Sequence, residues 1–569
     1  MGEHDAFGSL TRRQVLGVGG ALGLIAAAGL STGAALGSRP ASEVGLVRSD
    51  IPLPESYRVP LPMPPVLRPT STAGGVDHYE LTQRETRAEV LPGVSTLLWT
   101  YGGTFPGPTI ESRRGRPLTI SHSNELPVPT VVHLHGGHTP PDSDGYPTDL
   151  VLPVGWSGEG SSRGARADNG MPGSSMPGMS SMSGMSGTSR SHGATGAGSP
   201  GSHGAMGDPR AVVARVHREY AYPNQQRATM LWYHDHRMDF TAPAIWRGLA
   251  GMHIIRDDSE DALALPSGDH ELPLMITDRA FSADGELKYP ALDTTLRAHP
   301  GVRAPYVSGV LGDVILVNGA PWPEHEVDAA RYRLRVLNAS NARSYELEAV
   351  TDDGRRLELV QVGADQGLLA TPARLATLPI SPAERYDLVV DFSSVPIGSR
   401  VRLLNRLGTG RTRDVMAFRV ARRAVDESHV PRVLARDLPE LRRSDATRVR
   451  DFGFRAGRMG DGQGWLINGL PFDPTRADVT TALGDVEVWR LIADVEHPVH
   501  LHLVGFRILS RNGREPLPHD GGLKDTVALR PGEAVEIITR FDGWRGRYLF
   551  HCHNAEHEDM GMMANLEIA

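Results

Sequence analysis

The sequence predicts an all-β protein of three consecutive Greek-key β-sandwich domains, and three observations carry that expectation. First, one block recurs three times: TFPGPTIESRRGRPLTISHSNEL from Thr104, ILVNGAPWP from Ile315 followed by YRLRVLNAS, and WLINGLPFDP from Trp465 followed by GDVEVWRLIAD. Each copy joins a Gly/Pro turn bearing an aromatic residue to a strand of alternating apolar residues. Second, the alternation over Tyr332–Leu337 is that of a half-buried strand. Third, short strands broken by Gly, Pro and Asp turns run throughout, and long helical periodicity is scarce. Short strands with such turns pack as sandwiches, and 569 residues suit several domains.

Taken in order, residues 1–40 form a targeting segment. Thr11-Arg12-Arg13-Gln14-Val15-Leu16 carries a twin arginine, and a Gly/Ala-rich apolar stretch follows to Gly37. This resembles a Tat export signal. The alternative is a transmembrane anchor, but so many glycines and alanines leave the stretch weakly hydrophobic, which favours a cleaved signal. The expected location is periplasmic, cell-surface or extracellular, with the Tat machinery as a partner and no membrane association after cleavage. The first sandwich is placed at 50–257, the second at 268–421 and the third at 450–569. A charged, proline-containing linker is expected at 424–449. Residues 157–207 interrupt the first sandwich with a Gly/Ser/Met-rich insert that cannot bury enough apolar area to offset its ordering entropy. It holds Met176, Met179, Met182 and Met185 at three-residue spacing. Thioethers select Cu(I), so the insert reads either as a copper-capturing loop or as a flexible linker with incidental methionines.

Composition is that of a soluble globular protein, with 40% hydrophobic and 22% charged residues. The formal net charge of −8 is modest for this length and argues against nucleic acid as a partner. A single cysteine, Cys552, excludes an internal disulfide.

That cysteine lies in HCHNAEHEDMGMM, between His551 and His553. In an extended segment successive side chains face opposite ways, so Cys552 points to one side and the two histidines to the other. Cys552, His557 and Met562 are the soft donors of a blue-copper electron-transfer site. The flanking histidines are free to serve other metal ions, one residue or ~3.8 Å of backbone away. Three further clusters follow the same logic: His133 and His135 in VVHLHGG, His234 and His236 in LWYHDH, and His497, His500 and His502 in HPVHLHLVGF. An HxH pair on a strand puts two imidazoles on one face, as converging ligands need. Ten of the 23 histidines fall in these four clusters. His122, His138, His217, His253 and His519 stand alone and are read as surface or core residues, and neither Asp142 nor His138 has a ligand role.

With these motifs in the order shown, and with YPNQQRATMLWYHDH, NGAPWP, RVLNAS, SPAERYDLVVDF and GRYLFHCH between them, the chain resembles the multicopper oxidases from about Pro52 to Ala569. The likeness is greatest to the bacterial spore-coat laccase and phenoxazinone synthase branch. It implies cupredoxin-like domains and four copper ions. His497, Cys552 and His557, with Met562 axial, would hold a type 1 copper, and His133 and His500 a type 2 copper. His135, His234, His236, His502, His551 and His553 would hold a type 3 pair. It also implies electron uptake at an exposed edge of His497 or His557, transfer through Cys552 to its flanking histidines, and a cluster between the first and third domains. The middle domain, without a copper motif, is expected to act as a spacer and part of the donor-binding wall. Glu558 and Asp144 match acidic positions of the family. They read as proton relays, or as acceptors that orient imidazole N–H groups.

The function this implies is a laccase-type oxidase of phenolic, aminophenolic or other aromatic donors with dioxygen as acceptor. The alternative is a cuprous oxidase, with Cu(I) as donor. A non-catalytic copper-binding or structural exported protein would not need every ligand, and all are present. The donor itself is not specified, because substrate loops vary freely on one scaffold.

Overall fold

The computed structural model describes residues 45–156, 207–459 and 462–569, and Gly45–Ala569 form one compact unit. The expected targeting segment, residues 1–40, and nearly all of the insert lie outside the described residues. The described chain is β throughout, with three α-helices of four to seven residues, Thr241–Arg247, Asp258–Asp261 and Ala555–Asp559. None of its helices is long and apolar enough to cross a membrane.

Six larger sheets come in three pairs, each pair closed around its own apolar core. In the first pair, Val76–Leu91 is flanked by Leu118–Asn124 and Val94–Tyr101. The facing sheet runs Val66–Leu67, Gly107–Arg113, Ala250–Arg256, Thr229–Asp235, Val132–His135. Tyr79, Leu81 and Ile120 of one sheet meet Ile110, Leu134 and Tyr233 of the other in one buried cluster. The second pair has seven and six strands, with Leu334, Leu388, Leu347 and Phe418 among its core residues. The third pair has five strands in each sheet, and Phe452, Trp489 and Ile537 pack there against Val499, Phe550 and Leu566. Parallel neighbours such as Val76–Leu91 with Leu118–Asn124, and Arg448–Met459 with Val486–Ala493, require chain crossovers, which simple hairpins would not supply. The stretch between Arg423 and Arg448 contains no strand and only one short 3-10 turn, Arg443–Asp445. Leu434 and Leu441 anchor it by burial.

Strand alternation decides where the histidines go. Val132 and Leu134 enter the first core, so His133 and His135 face away from it. Val499 and Leu501 enter the third core together with Phe550 and Cys552. His497 shares their parity, whereas His500, His502, His551 and His553 lie on the opposite face. One strand, His497–Leu501, therefore serves two different places.

Candidate metal centre

Two buried clusters result. In the smaller, Cys552 Sγ lies 3.5 Å from His497 Nδ1 and 3.7 Å from His557 Nδ1, and the two nitrogens are 3.2 Å apart. A point equidistant from these three atoms is about 2 Å from each, the length of a metal–imidazole bond. The short helix Ala555–Asp559 sets His557 in place, its Asn554 cap accepting a hydrogen bond from the His557 backbone N–H at 3.4 Å. The Asn554 N–H donates to Cys552 Sγ at 3.4 Å. Burial raises the Cys552 thiol well above its ordinary pKa, so the protonated form prevails until a metal displaces the proton. Met562 is fully buried in the same core, and its backbone carbonyl accepts from the Cys552 N–H at 3.1 Å.

The larger cluster joins the first and third sheet pairs. His133 pairs with His234 and His135 with Trp232 in strand register, while His500 pairs with His551. Across the interface His133 stacks on His502 with ring centres 4.0 Å apart, and His135 stacks on His500 at 3.6 Å. His551 Nε2 is 3.2 Å from His502 Nε2 and 3.4 Å from His236 Nε2. His553 lies beside His135 and His234, with ring centres 4.9 and 5.3 Å away. Burial holds the imidazoles of His133, His135, His234, His236, His500, His502 and His553 below the ordinary histidine range. Neutral imidazole is the form that binds metal.

These residues fit copper by a direct observation. His133 Nε2, His234 Nε2, His500 Nε2, His135 Nδ1 and both nitrogens of His553 are buried without a hydrogen-bond partner. So many unsatisfied groups would cost several kcal/mol as an empty polar core; as a ligand set they are accounted for. Among the described residues, converging groups include His133–His500–His502, His133–His135–His234, His236–His502–His551 and His497–Cys552–His557. Every predicted histidine and the cysteine thus lies at one cluster or the other.

Asp144 and Glu558 are both fully buried beside the larger cluster. The Asp144 carboxylate is 2.8 Å from His502 Nδ1, and its backbone carbonyl accepts from His133 Nδ1 at 2.5 Å. Glu558 places one oxygen 3.2 Å from His551 Nδ1 and the other 3.4 Å from His236 Nδ1. Burial raises the Asp144 pKa. Burial would raise Glu558 too, but His236 and His551 outweigh it and hold the group below its usual range.

Two expectations need correction. Neither His497 nor His557 has an exposed edge: they are 0% and 1% exposed. Trp465 stacks on His557 with ring centres 3.7 Å apart, and Asp494, one-third exposed, faces His497 Nε2 at 3.0 Å. Of these two covers Trp465 is itself buried and only Asp494 reaches solvent. The middle sheets, in turn, reach beyond the role of a spacer, because Arg385, Asp365 and Gln366 extend to Asp525 at the floor of the larger cluster. Asp525 was not legible as a site residue. Its signal is the charged pair Lys524-Asp525 ahead of the apolar run VAL, since buried charges are rare unless paired.

Two buried clusters, one of imidazoles around a single cysteine and one of imidazoles alone between β-sandwiches, define a copper oxidase. The chain belongs to the multicopper oxidase family: multicopper oxidase signatures match residues 82–158 and 440–569. It is 33% identical to a laccase of Bacillus subtilis over 90% of this chain and 98% of that one. It is also 33% identical to a bilirubin oxidase of Albifimbria verrucaria over 89% and 80%. A crystal structure of a multi-copper oxidase from Pediococcus acidilactici superposes with a TM-score of 0.72 at 27% identity, covering 94% of each chain. The protein is thus a copper-binding oxidoreductase that couples donor oxidation to the reduction of dioxygen.

Proposed function

We propose that the enzyme is a laccase-type oxidase that takes electrons one at a time from phenolic or aminophenolic donors and reduces dioxygen to water. His497, Cys552, His557 and Met562 would hold the type 1 copper, and His133 and His500 the type 2 copper. His135, His234, His236, His502, His551 and His553 would hold the type 3 pair. Four copper ions bound there supply one-electron storage at each site, matching the four electrons that dioxygen takes up on becoming two waters. The observation that carries the reading is the split at Cys552. Its sulfur belongs to the smaller cluster, while His551 and His553, one residue away on either side, belong to the larger one. The backbone of these three residues is the short covalent path between the clusters.

Asp494, one-third exposed, would present the surface that the donor meets, with Trp465 buried behind it against His557. Asp144 and Glu558 would deliver the protons that water formation consumes, Asp144 from an oxygen hydrogen-bonded to His502 and Glu558 from oxygens lying beside His551 and His236. The bonds of Asp144 to His502 and His133 also fix the orientation of those rings, so relay and positioning are compatible. The test is a side-by-side kinetic comparison of 2,6-dimethoxyphenol, an o-aminophenol, bilirubin and Cu(I). Preference for the phenolic donors supports the reading. Preference for Cu(I) would instead establish the cuprous oxidase favoured by the regular methionines of the insert. Export by the Tat route is part of the proposal, and replacing Arg12 and Arg13 with lysine should retain the protein in the cytoplasm.

A further inference from the structure

The SPAERYDLVVDF stretch contributes no candidate ligand, yet its Arg385 is 1% exposed and uses all five of its N–H donors. Nε donates to the Met230 carbonyl at 3.1 Å. Nη1 donates to the Ala383 carbonyl at 3.2 Å and to Asp525 Oδ1 at 2.6 Å. Nη2 donates to the Asp365 carbonyl at 2.9 Å and to Asp525 Oδ2 at 2.6 Å. These partners come from all three sheet pairs. Met230 lies on the Thr229–Asp235 strand that carries His234, and Asp525 adjoins Thr526, the register partner of His500.

Asp525 in turn touches two histidines of the larger cluster. Its backbone carbonyl lies 2.9 Å from His500 Nδ1. A carbonyl can only accept, so Nδ1 bears the proton and Nε2 is left with the lone pair. Its carboxylate Oδ1 lies 3.2 Å from His135 Nε2. There the proton belongs on Nε2, and Nδ1 is the free nitrogen. The two unpartnered atoms are indeed His500 Nε2 and His135 Nδ1. A second feature is built around the Arg385–Asp525 pair. Gly136, directly after His135, has φ +80°, and a Cβ there would meet Arg385 Nη2 at 2.5 Å and Asp525 Oδ2 at 2.6 Å. The glycine leaves the room that the ion pair fills.

We infer that Arg385 is a positioning residue for the histidine cluster: by clamping Asp525 it sets which ring nitrogen of His135 and of His500 carries the proton and which faces the metal. The inference rests on the copper reading above. Outer-shell partners of this kind are worth ~10–100-fold in metal affinity, and the loss should fall on the histidine cluster, first at His135, which the Asp525 carboxylate touches, and at His500 as the Asp525 backbone shifts with it.

The test uses the full-length, copper-loaded enzyme and three variants. Arg385→Lys keeps the charge but loses the planar fork. Asp525→Asn keeps the shape but loses the ionised carboxylate, and it serves if Arg385→Lys does not fold. Arg335→Lys is the control, since Arg335 is equally buried, against Glu260 and Glu271, in a network that touches no cluster histidine. Copper per chain, the type 2 electron paramagnetic resonance signal and Tm are read for each. Arg385→Lys or Asp525→Asn should keep the blue colour while copper of the histidine cluster is lost ~10–100-fold more readily to a chelator and the type 2 signal changes with it. Arg335→Lys should lower Tm and leave that signal unchanged. Wild-type copper retention and spectrum in the Arg385 or Asp525 variant would overturn the inference, and so would equal losses in all three that track Tm. Wild-type enzyme without copper would overturn the copper reading instead.

Discussion

Cys552 and His551 are consecutive, yet their side chains belong to different clusters. Cys552 Sγ is 3.5 Å from His497 Nδ1, and His551 Nε2 is 3.2 Å from His502 Nε2. The alternation of one strand, Gly546–Cys552, produces this division.

Glu558 is expected to act on the dioxygen side alone. Glu558→Gln keeps size and hydrogen bonding but cannot ionise. It should preserve the blue colour and anaerobic reduction by donor, and slow reoxidation by dioxygen by up to ~10²–10⁴-fold, the scale of general acid catalysis. The loss should deepen as pH rises and protons become scarce. Asp144→Asn should act in the same direction. Stopped-flow reoxidation of the reduced enzyme checks this, and a wild-type rate at both acidic and alkaline pH would leave only the orienting role.

Asp494 should tune the smaller cluster. Its carboxylate faces His497 Nε2 and makes that imidazole a stronger electron donor to the metal. Asp494→Ala should therefore raise the reduction potential of the type 1 copper without changing copper content. Redox titration of the blue band measures it, and an unchanged or lowered potential would contradict the role.

The insert should be separable from the core reaction. Deleting residues 171–206 removes no cluster residue, so oxidation of phenols should stay near wild type. Copper loading, or Cu(I) oxidation at low copper, should fall. If neither copper-dependent measurement changes, the insert is a linker.

One acid-sensitive element lies outside the clusters. Burial alone would raise the Glu260 pKa, but Arg335 and Arg333 bring it down to about 2 from an ordinary 4.5. A depressed carboxyl stabilises the fold above its unfolded pKa and loses that contribution as pH falls through the folded one. The window is thus from about pH 4.5 down to about pH 2. A shift of this size is worth on the order of 3 kcal/mol. Glu260→Gln should lower stability at neutral pH, and the gap to wild type should close across that window in denaturant titrations.

The sequence carried much of this structure because its signals were local. Alternation in VVHLHGG and HPVHLHLVGF told which residues share a face, and the single cysteine marked the smaller cluster. What it could not convey was long-range. Arg385 and Asp525 are 140 residues apart, and no periodicity joins them. The covers over His497 and His557 were equally hidden, because Trp465 lies 92 residues from the ring it stacks on by residue number. Strand parity gives a side chain's direction and leaves open what another strand lays over it.

The most direct test of the two-cluster account is copper content and spectrum of the wild type beside Cys552→Ser. The account predicts about four coppers per chain and a blue protein for the wild type. For Cys552→Ser it predicts loss of the blue colour and of donor oxidation, with the coppers of the histidine cluster retained. Stoichiometric zinc without copper in the wild type, or a blue Cys552→Ser enzyme that still oxidises its donor, would contradict it.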